Sequence, residues 1–435
     1  MLAAVPVAPA RLDCMRVLIV GASGFIGQAL AEALVREGHS VAGASRRGDI
    51  AVDFAQPPPA AWWRPRLEGF DAVVNAVGIL RESKGQGFDA VHTRGPVELF
   101  LACAEAGVRR VVQISALGAD ANATSRYHLS KKAADDALRA LPLDAAIVQP
   151  SLVYGPAGSS AALFGTLAAV PVLMLPGRGS MQVQPVHIDD VVDGVVRLLR
   201  DMPQGVTTIT FAGPEPLSMR GYLTQLRAAL GIGGRAWVLP FPAGVFMALA
   251  RVAGRVPGSF LDTDTASMLL RGNAGDVRAF TQLLGRAPRG VDAFLPVAQR
   301  EPARVSAVVG LWAPVLRVAL AALWIWTGVV SFGLYPLDES LALLARVGLH
   351  GGVARLALYG AAGFDLLLGV LTLVLPAPHR RWLWPAQLLL IAGYTALISL
   401  FLPEYWLHPY GPIIKNIPIL AGIALLWALD ARGRR

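Results

Sequence analysis

The sequence predicts a doubly wound parallel α/β domain followed by a bundle of four transmembrane helices, and three observations predict it. Short β-branched runs alternate with amphipathic stretches from Arg16 to about Gln149. A glycine-rich turn follows the first of those runs. After Pro302 come four apolar stretches, each near the roughly 20 residues a helix needs to cross hydrocarbon. Composition fits this division. Of 435 residues, 54% are hydrophobic and 16% charged, above and below what a wholly soluble protein carries. The formal charge of +9 rests on arginines scattered near apolar segments, with no basic run interleaved with aromatics. It therefore suits a membrane lipid surface and excludes a nucleic-acid partner. Cys14 and Cys103 are too few for a disulfide framework or a zinc site and fit a reducing compartment. The seven histidines show no ligand spacing, so no metal is expected.

In chain order, residues 1–14 have no secretory h-region and read as a disordered leader, which leaves the first domain in the cytoplasm. Strands are expected at Val17–Val20, Val41–Ala44, Ala72–Ala76, Val111–Ser115 and Ala145–Val148, with Gln28–Glu37 and Pro96–Ala106 among the helices covering the sheet. Between the first strand and the first helix lies GASGFIG, in which Gly21, Ser23, Gly24, Phe25, Ile26 and Gly27 form a turn tight enough for close backbone approach. The helix N-terminus behind it offers free N–H groups to a pyrophosphate, the Rossmann arrangement for a nicotinamide dinucleotide. Residues 15–300 are thus expected to form a dinucleotide-binding domain, with a smaller substrate lobe over about 150–300. An NAD site expects an acidic side chain after the second strand. Arg46 and Arg47 stand there instead and suit a 2′-phosphate, which favours NADP(H) over NAD(H); the alternative is a solvated pair, with Asp49 on the ribose.

Tyr127 and Lys131, four residues apart, share one face of a helix, and Ser115 ends the preceding strand. An ammonium beside the phenol favours the phenolate, so Tyr127 is the candidate acid/base, Ser115 the partner of the substrate oxygen and Lys131 a second contact to the ribose. The alternative is an amphipathic pair on an exposed helix. With these residues, the run Ile114–Asp135, PSLVYGP (Pro150–Pro156) and QPVHIDD (Gln184–Asp190) resemble the extended and atypical short-chain dehydrogenases. The group includes the dehydrogenase-like accessory subunit of respiratory complex I and nucleoside-diphosphate-sugar epimerase-like proteins. The resemblance spans Arg16–Gln299. Asp53 and Phe54 close the strand that follows Val41–Ala44; the resemblance implies that they border the adenine, and that Asn75, Ala76, Val77, Gly78, Pro150 and Ser151 line the cofactor. Where relatives often carry Asn, this chain has His92. The function implied is hydride transfer to or from a carbonyl or hydroxyl on a lipid-like or quinone-like small molecule. The alternatives are an epimerase-like activity and an idle NADP(H)-binding module of a membrane complex. Asp189 and Asp190 are expected to cap a helix beginning at Val191. Trp237–Ala250 is apolar but Pro-interrupted and too short to span a bilayer, so it reads as a core or interfacial segment, and Arg251 and Arg255 after it suit lipid headgroups.

The four expected spans are Leu311–Leu334, Leu356–Leu375, Trp382–Leu402 and Tyr410–Leu429, within a membrane domain of residues 305–435. Cations at His379–Arg381 and in the tail Arg432, Arg434 and Arg435 place both termini in the cytoplasm by the positive-inside rule, and Trp and Tyr cluster near the span ends. The inner membrane of a bacterium is the expected location. RVALAALWIWTGVVS (Arg317–Ser331), LARVGLHG, FDLLLGVLTL and IKNIPIL resemble a DoxX-like four-helix membrane domain, a group associated with quinone-linked or thiol redox chemistry. Asp365 falls mid-span, costly there unless paired. Arg317 and Lys415 are its candidate partners, in a structural ion pair or a proton or quinone site. A homo-oligomer or a membrane-complex partner is compatible with these features.

Overall fold

A strand covered on both faces needs an unbroken apolar run. β1 (Arg16–Val20) supplies one, its last four residues being fully buried. The computed structural model describes residues 14–83, 85–156, 158–255, 259 and 261–432; residues 1–13 of the expected leader, and Arg434 and Arg435 of the tail, lie outside the described residues. From β1 the chain passes through α1 (Phe25–Arg36), β2 (Ser40–Ser45), β3 (Ile50–Ala51), α2 (Ala60–Trp63), β4 (Ala72–Asn75), α3 (Gly95–Ala106), β5 (Arg110–Ile114), α4 (Arg126–Arg139) and β6 (Asp144–Pro150). It continues through β7 (Val153–Tyr154), α5 (Ser159–Ala169), β8 (Val172–Pro176), β9 (Gln182–Val183), β10 (Val186–His187), α6 (Ile188–Arg200) and β11 (Val206–Phe211). Then come β12 (Leu217–Ser218), α7 (Met219–Ala229), β13 (Trp237–Phe241), α8 (Ala243–Ala253), α9 (Thr263–Arg271) and α10 (Arg278–Leu284).

The main sheet has seven parallel strands in the order β11-β6-β5-β4-β1-β2-β3, with Val17 of β1 opposite Val41 on one side and Ala72 on the other. Alternating residues of β1 feed two cores. Val17 and Ile19 pack with Leu30 and Leu34 of α1 and Val195 of α6, whereas Leu18 and Val20 pack with Trp63, Leu99 and Phe100. The sequence reading finds five of these strands and expects a further one closing at Asp53 and Phe54, where β3 is only two residues long and ends at Ala51; it misses β11. Within the stretch expected to form the smaller lobe, α6 and β11 return to the main sheet; β7–β10, β9–β12 and β8–β13 are separate two-stranded pairs. The expected caps are also corrected. α6 starts at Ile188, and the His187 ring accepts the Asp189 N–H. Asp190 is fully buried and instead accepts from Arg286 and from the backbone N–H of Arg289.

The chain divides into two compact units, Met1–Ala307 and Val308–Arg435, with the boundary inside α11 (Val297–Val329). The second unit continues through α12 (Leu337–Arg346), α13 (Gly351–Val374), α14 (Leu383–Phe401) and α15 (Asn416–Arg432). Among the described residues, three helical stretches, Val297–Leu334, Gly351–Val374 and Arg380–Phe401, are long and apolar enough to cross a membrane. The fourth expected span begins only at Asn416, because Gly411 (φ +52°) and Pro412 hold the preceding residues in turns. A Cβ on Gly328 would lie 2.8 Å from the Ala362 carbonyl oxygen, and one on Gly369 3.0 Å from that of Ala321. Glycines thus let α11 and α13 approach closely, as membrane helices do.

Asp365 is buried on the inner face of α13, but neither expected cation pairs with it. Arg317 lies 3.9 Å from Asp430, which also takes Arg380 at 2.8 Å, and Lys415 is exposed. A carboxylate at Asp430 draws the nearby guanidiniums to one end of the bundle. Among the described residues no ion pair joins Arg317 or Lys415 to Asp365.

Candidate active site

The turn after β1 tolerates little besides glycine. Gly21 has φ +85°, and a Cβ there would lie 2.9 Å from the Ala76 backbone; a Cβ on Gly27 would lie 2.3 Å from the Gly21 carbonyl oxygen. α1 therefore starts immediately beyond the carboxyl end of β1, an inner strand of the sheet. Its N-cap, Gly24, supplies no side-chain cap and its first turn has no acidic residue, whereas α4, α7 and α9 are capped by Ser125, Ser218 and Asp262. An uncapped helix N-terminus behind a Gly-only turn fits a pyrophosphate. At the end of β2, Arg46 and Arg47 are exposed, and neither guanidinium has a protein partner among the described residues. Asp49 is engaged, accepting the Gly43 N–H at 2.8 Å.

Beyond β4 the strip Asn75–Gly78 meets α4. Asn75 is fully buried between Gln113 (2.7 Å) and the Val77 N–H (3.2 Å). Lys131 donates to the carbonyls of Val77 and Ile114, both at 3.0 Å, and a Cβ on Gly78 would sit 3.3 Å from its Nζ. Tyr127, one turn earlier, packs against Phe88, Ala116, Ile79 and Met268, and its hydroxyl has no protein partner among the described residues. Burial pushes the phenol up to about 12, with the charge of Asp135 adding to it. The expected lowering by Lys131 is thus not met: burial first, and then the Asp135 charge, both disfavour the phenolate. Burial also pulls Lys131 down to about 8, opposed by Asp135.

Similarities in sequence to known families and proteins accompany this geometry. The profile of the NAD dependent epimerase/dehydratase family matches residues 17–211, and that of the DoxX-like family matches residues 321–424. A UDP-glucose 4-epimerase of Mycolicibacterium smegmatis is 30% identical over 230 residues, 42% of this chain and 72% of that protein. The chain belongs to the NAD-dependent epimerase/dehydratase family. Membership makes its first unit an oxidoreductase-type enzyme working with a nicotinamide dinucleotide. A ceramide reductase of Caulobacter vibrioides is 28% identical over 247 residues, 54% of this chain and 77% of that protein. Subunit 9 of the mitochondrial NADH dehydrogenase [ubiquinone] 1 alpha subcomplex of Arabidopsis thaliana is 27% identical over 266 residues, 55% of this chain and 64% of that subunit. Among solved structures, a nucleoside-diphosphate-sugar epimerase from Staphylococcus aureus superposes with a TM-score of 0.51 at 16% identity, over 64% of this chain and 99% of that one, a likeness of fold.

Against the family pattern, two expected contacts are placed differently. Phe54 is not open to a ligand: its ring lies 6.2 Å from that of Trp63 and over Gly95, in the core. The Ser151 hydroxyl is buried and donates to the carbonyl of Gln184, while Pro150 ends β6 opposite Phe211. Asp53 accepts the Ala55 N–H at 3.0 Å and so turns the chain after β3.

Sequence reasoning misses Asp135. It lies on α4 one turn beyond Lys131, fully buried, and accepts the Ser115 hydroxyl hydrogen bond. Burial raises its carboxyl to about 6, against the opposing pull of that hydrogen bond and of Lys131. The signal was spacing: Tyr127, Lys131 and Asp135 recur every four residues, on one helix face. His92 lies on a π-helical turn, Asp89–Arg94, ahead of α3. Its Nε2 accepts the Ile79 N–H at 2.9 Å, so Nδ1 carries the ring proton toward Ser130 Oγ, also 2.9 Å away, and Ser130 donates to the Tyr127 carbonyl. Burial first, then the charge of Lys131, pulls His92 down to about 2. A neutral imidazole thus ties the Ile79 loop to the helix that carries Tyr127.

Proposed function

We propose that the chain is an NADP(H)-dependent reductase of a lipid-borne or quinone-like carbonyl, held at the inner membrane of a bacterium with both termini in the cytoplasm. One observation carries this reading: the Tyr127 hydroxyl, free of protein partners among the described residues, lies within walls of Phe88, Ala116, Ile79 and Met268, on the helix that carries Lys131 one turn later. A ceramide reductase among the relatives acts, by its name, on a lipid, which accords with those walls. The bound dinucleotide supplies the hydride. Tyr127, protonated at neutral pH, gives its phenolic proton to the carbonyl oxygen as the new C–H bond forms; Ser115 donates to that oxygen only when its one O–H turns from Asp135, which holds it in the free protein. Lys131 keeps one of its three N–H donors for a ribose hydroxyl, since two go to Val77 and Ile114. Its charge then stabilises the phenolate left on Tyr127. The test is NADPH consumption by the detergent-solubilised full chain, offered long-chain ketones and quinones.

Cofactor choice rests on Arg46 and Arg47. Replacing both by Ala is expected to raise the Kd for NADPH about ten- to a hundredfold, the worth of one or two charge-assisted hydrogen bonds, and to leave that for NADH nearly unchanged. Calorimetric titration of both nucleotides checks it; equal losses would return the ribose to Asp49.

The similarity to a complex I subunit favours a second reading, in which NADP(H) is held without turnover as part of a membrane assembly. NADPH that co-purifies, with no consumption on any carbonyl, would select it.

A further inference from the structure

Alternation along β8 and β13 sends one set of side chains to the interior and the other to solvent. The inward residues Leu173 and Leu175 are buried, yet the outward ones are just as apolar. Val172 stands opposite Trp237 and Met174 opposite Leu239, and their exposures run from 44% at Val172 to 75% at Trp237. α8 follows directly and exposes Val245, Leu249 and Val252, a single stripe at helical spacing. A soluble surface does not normally carry so continuous an apolar face.

Its surroundings are cationic. Residues 145–188 and 216–261 contain no Asp or Glu. Arg178, Arg235, Arg251 and Arg255 are exposed, without acidic partners among the described residues. Apolar side chains including a Trp, flanked by unpaired arginines, match the boundary between headgroups and acyl chains of an anionic bilayer.

The geometry points to a second membrane contact: the β8–β13 face and the outer stripe of α8 lie in the headgroup–acyl boundary of an anionic bilayer. This goes beyond the reductase reading and stands without it. It also places lipid one helix from the candidate site, because α8 packs on α9. α9 carries Met268 beside Tyr127 and Arg271, which donates to the Gly118 carbonyl at 2.8 Å.

The test uses the full chain in vesicles of phosphatidylethanolamine and phosphatidylglycerol. Cys14→Ser removes the exposed thiol and Cys103 is buried, so Leu239→Cys, Leu249→Cys and, as control, Val35→Cys each accept one environment-sensitive fluorophore; retained NADPH binding shows that each variant is folded. Nitroxide-labelled lipids are expected to quench positions 239 and 249 several-fold more than position 35, with iodide showing the opposite order. Equal iodide quenching at all three positions would overturn the proposal. So would shielding of 239 and 249 from both quenchers, which would mean that protein covers the face.

Discussion

Tyr127→Phe is expected to lower kcat for carbonyl reduction by about 10²–10⁴-fold, the usual worth of a positioned general acid, with NADPH affinity and thermal stability close to those of the parent. The substitution removes one oxygen that no described protein group touches and keeps the ring among Phe88, Ala116 and Met268, so it leaves neither a cavity nor a stranded donor. The parent enzyme also carries a pH signature. Burial pushes the phenol up to about 12, so Tyr127 keeps its proton across the working range. Lys131 is pulled down to about 8: it is charged below that value and neutral above it. Reduction should therefore proceed below pH 8 and fall as the pH rises through about 8, where the cation beside the forming phenolate is lost. Asp135→Asn removes the charge that opposes this lowering and should move the limb to lower pH. Steady-state rates against pH, with calorimetric NADPH binding for each variant, check both. If Tyr127→Phe consumes NADPH at the parent rate, the acid is another group.

How much of the fold and of the site the sequence makes legible follows from what each feature depends on. β1, the glycine turn and α1 are local, and a strand, a turn and a helix in succession have few other solutions. Tyr127 and Lys131 announce themselves by spacing, and so does Asp135 once the spacing is extended a further turn. The identity of the Asp190 partners is a different matter, because Arg286 and Arg289 lie about a hundred residues on and only the fold brings them together. The same holds for β11, whose Thr-rich sequence VTTITF is buried on alternate residues only and pairs with β6 across the intervening lobe. Phe54 shows the limit of carrying a family position across, since the size of its neighbours Trp63 and Gly95 decides where the ring goes. In the membrane unit, hydropathy counts apolar residues but is blind to the turn at Gly411 that delays α15, and to an Asp430 that competes for Arg317.

Gly27→Val should weaken NADPH binding by about 2–3 kcal/mol, or roughly thirty- to more than a hundredfold, the cost of forcing atoms into a closely packed site. A Cβ alone at this position would come within 2.3 Å of the Gly21 carbonyl oxygen, 2.9 Å of its carbonyl carbon and 3.0 Å of the Ala22 Cα. Every one of those atoms is backbone, so no side chain can swing aside. The turn must open, and opening it moves the Phe25, Ile26 and Gly27 N–H groups away from where a pyrophosphate would sit. Helix α1 has no other device for satisfying those donors, because Gly24 carries no capping side chain. The loss should fall on the dinucleotide much more than on the fold: α1 is anchored through Leu30 and Leu34, on turns remote from the glycines. The discriminating measurement is the rise in melting temperature that saturating NADPH gives the detergent-solubilised protein, large in the parent and nearly abolished in the variant, set beside the two melting temperatures without nucleotide. An undiminished rise would mean that the nucleotide phosphates are held elsewhere, and the placement of the cofactor on this helix would fall with it.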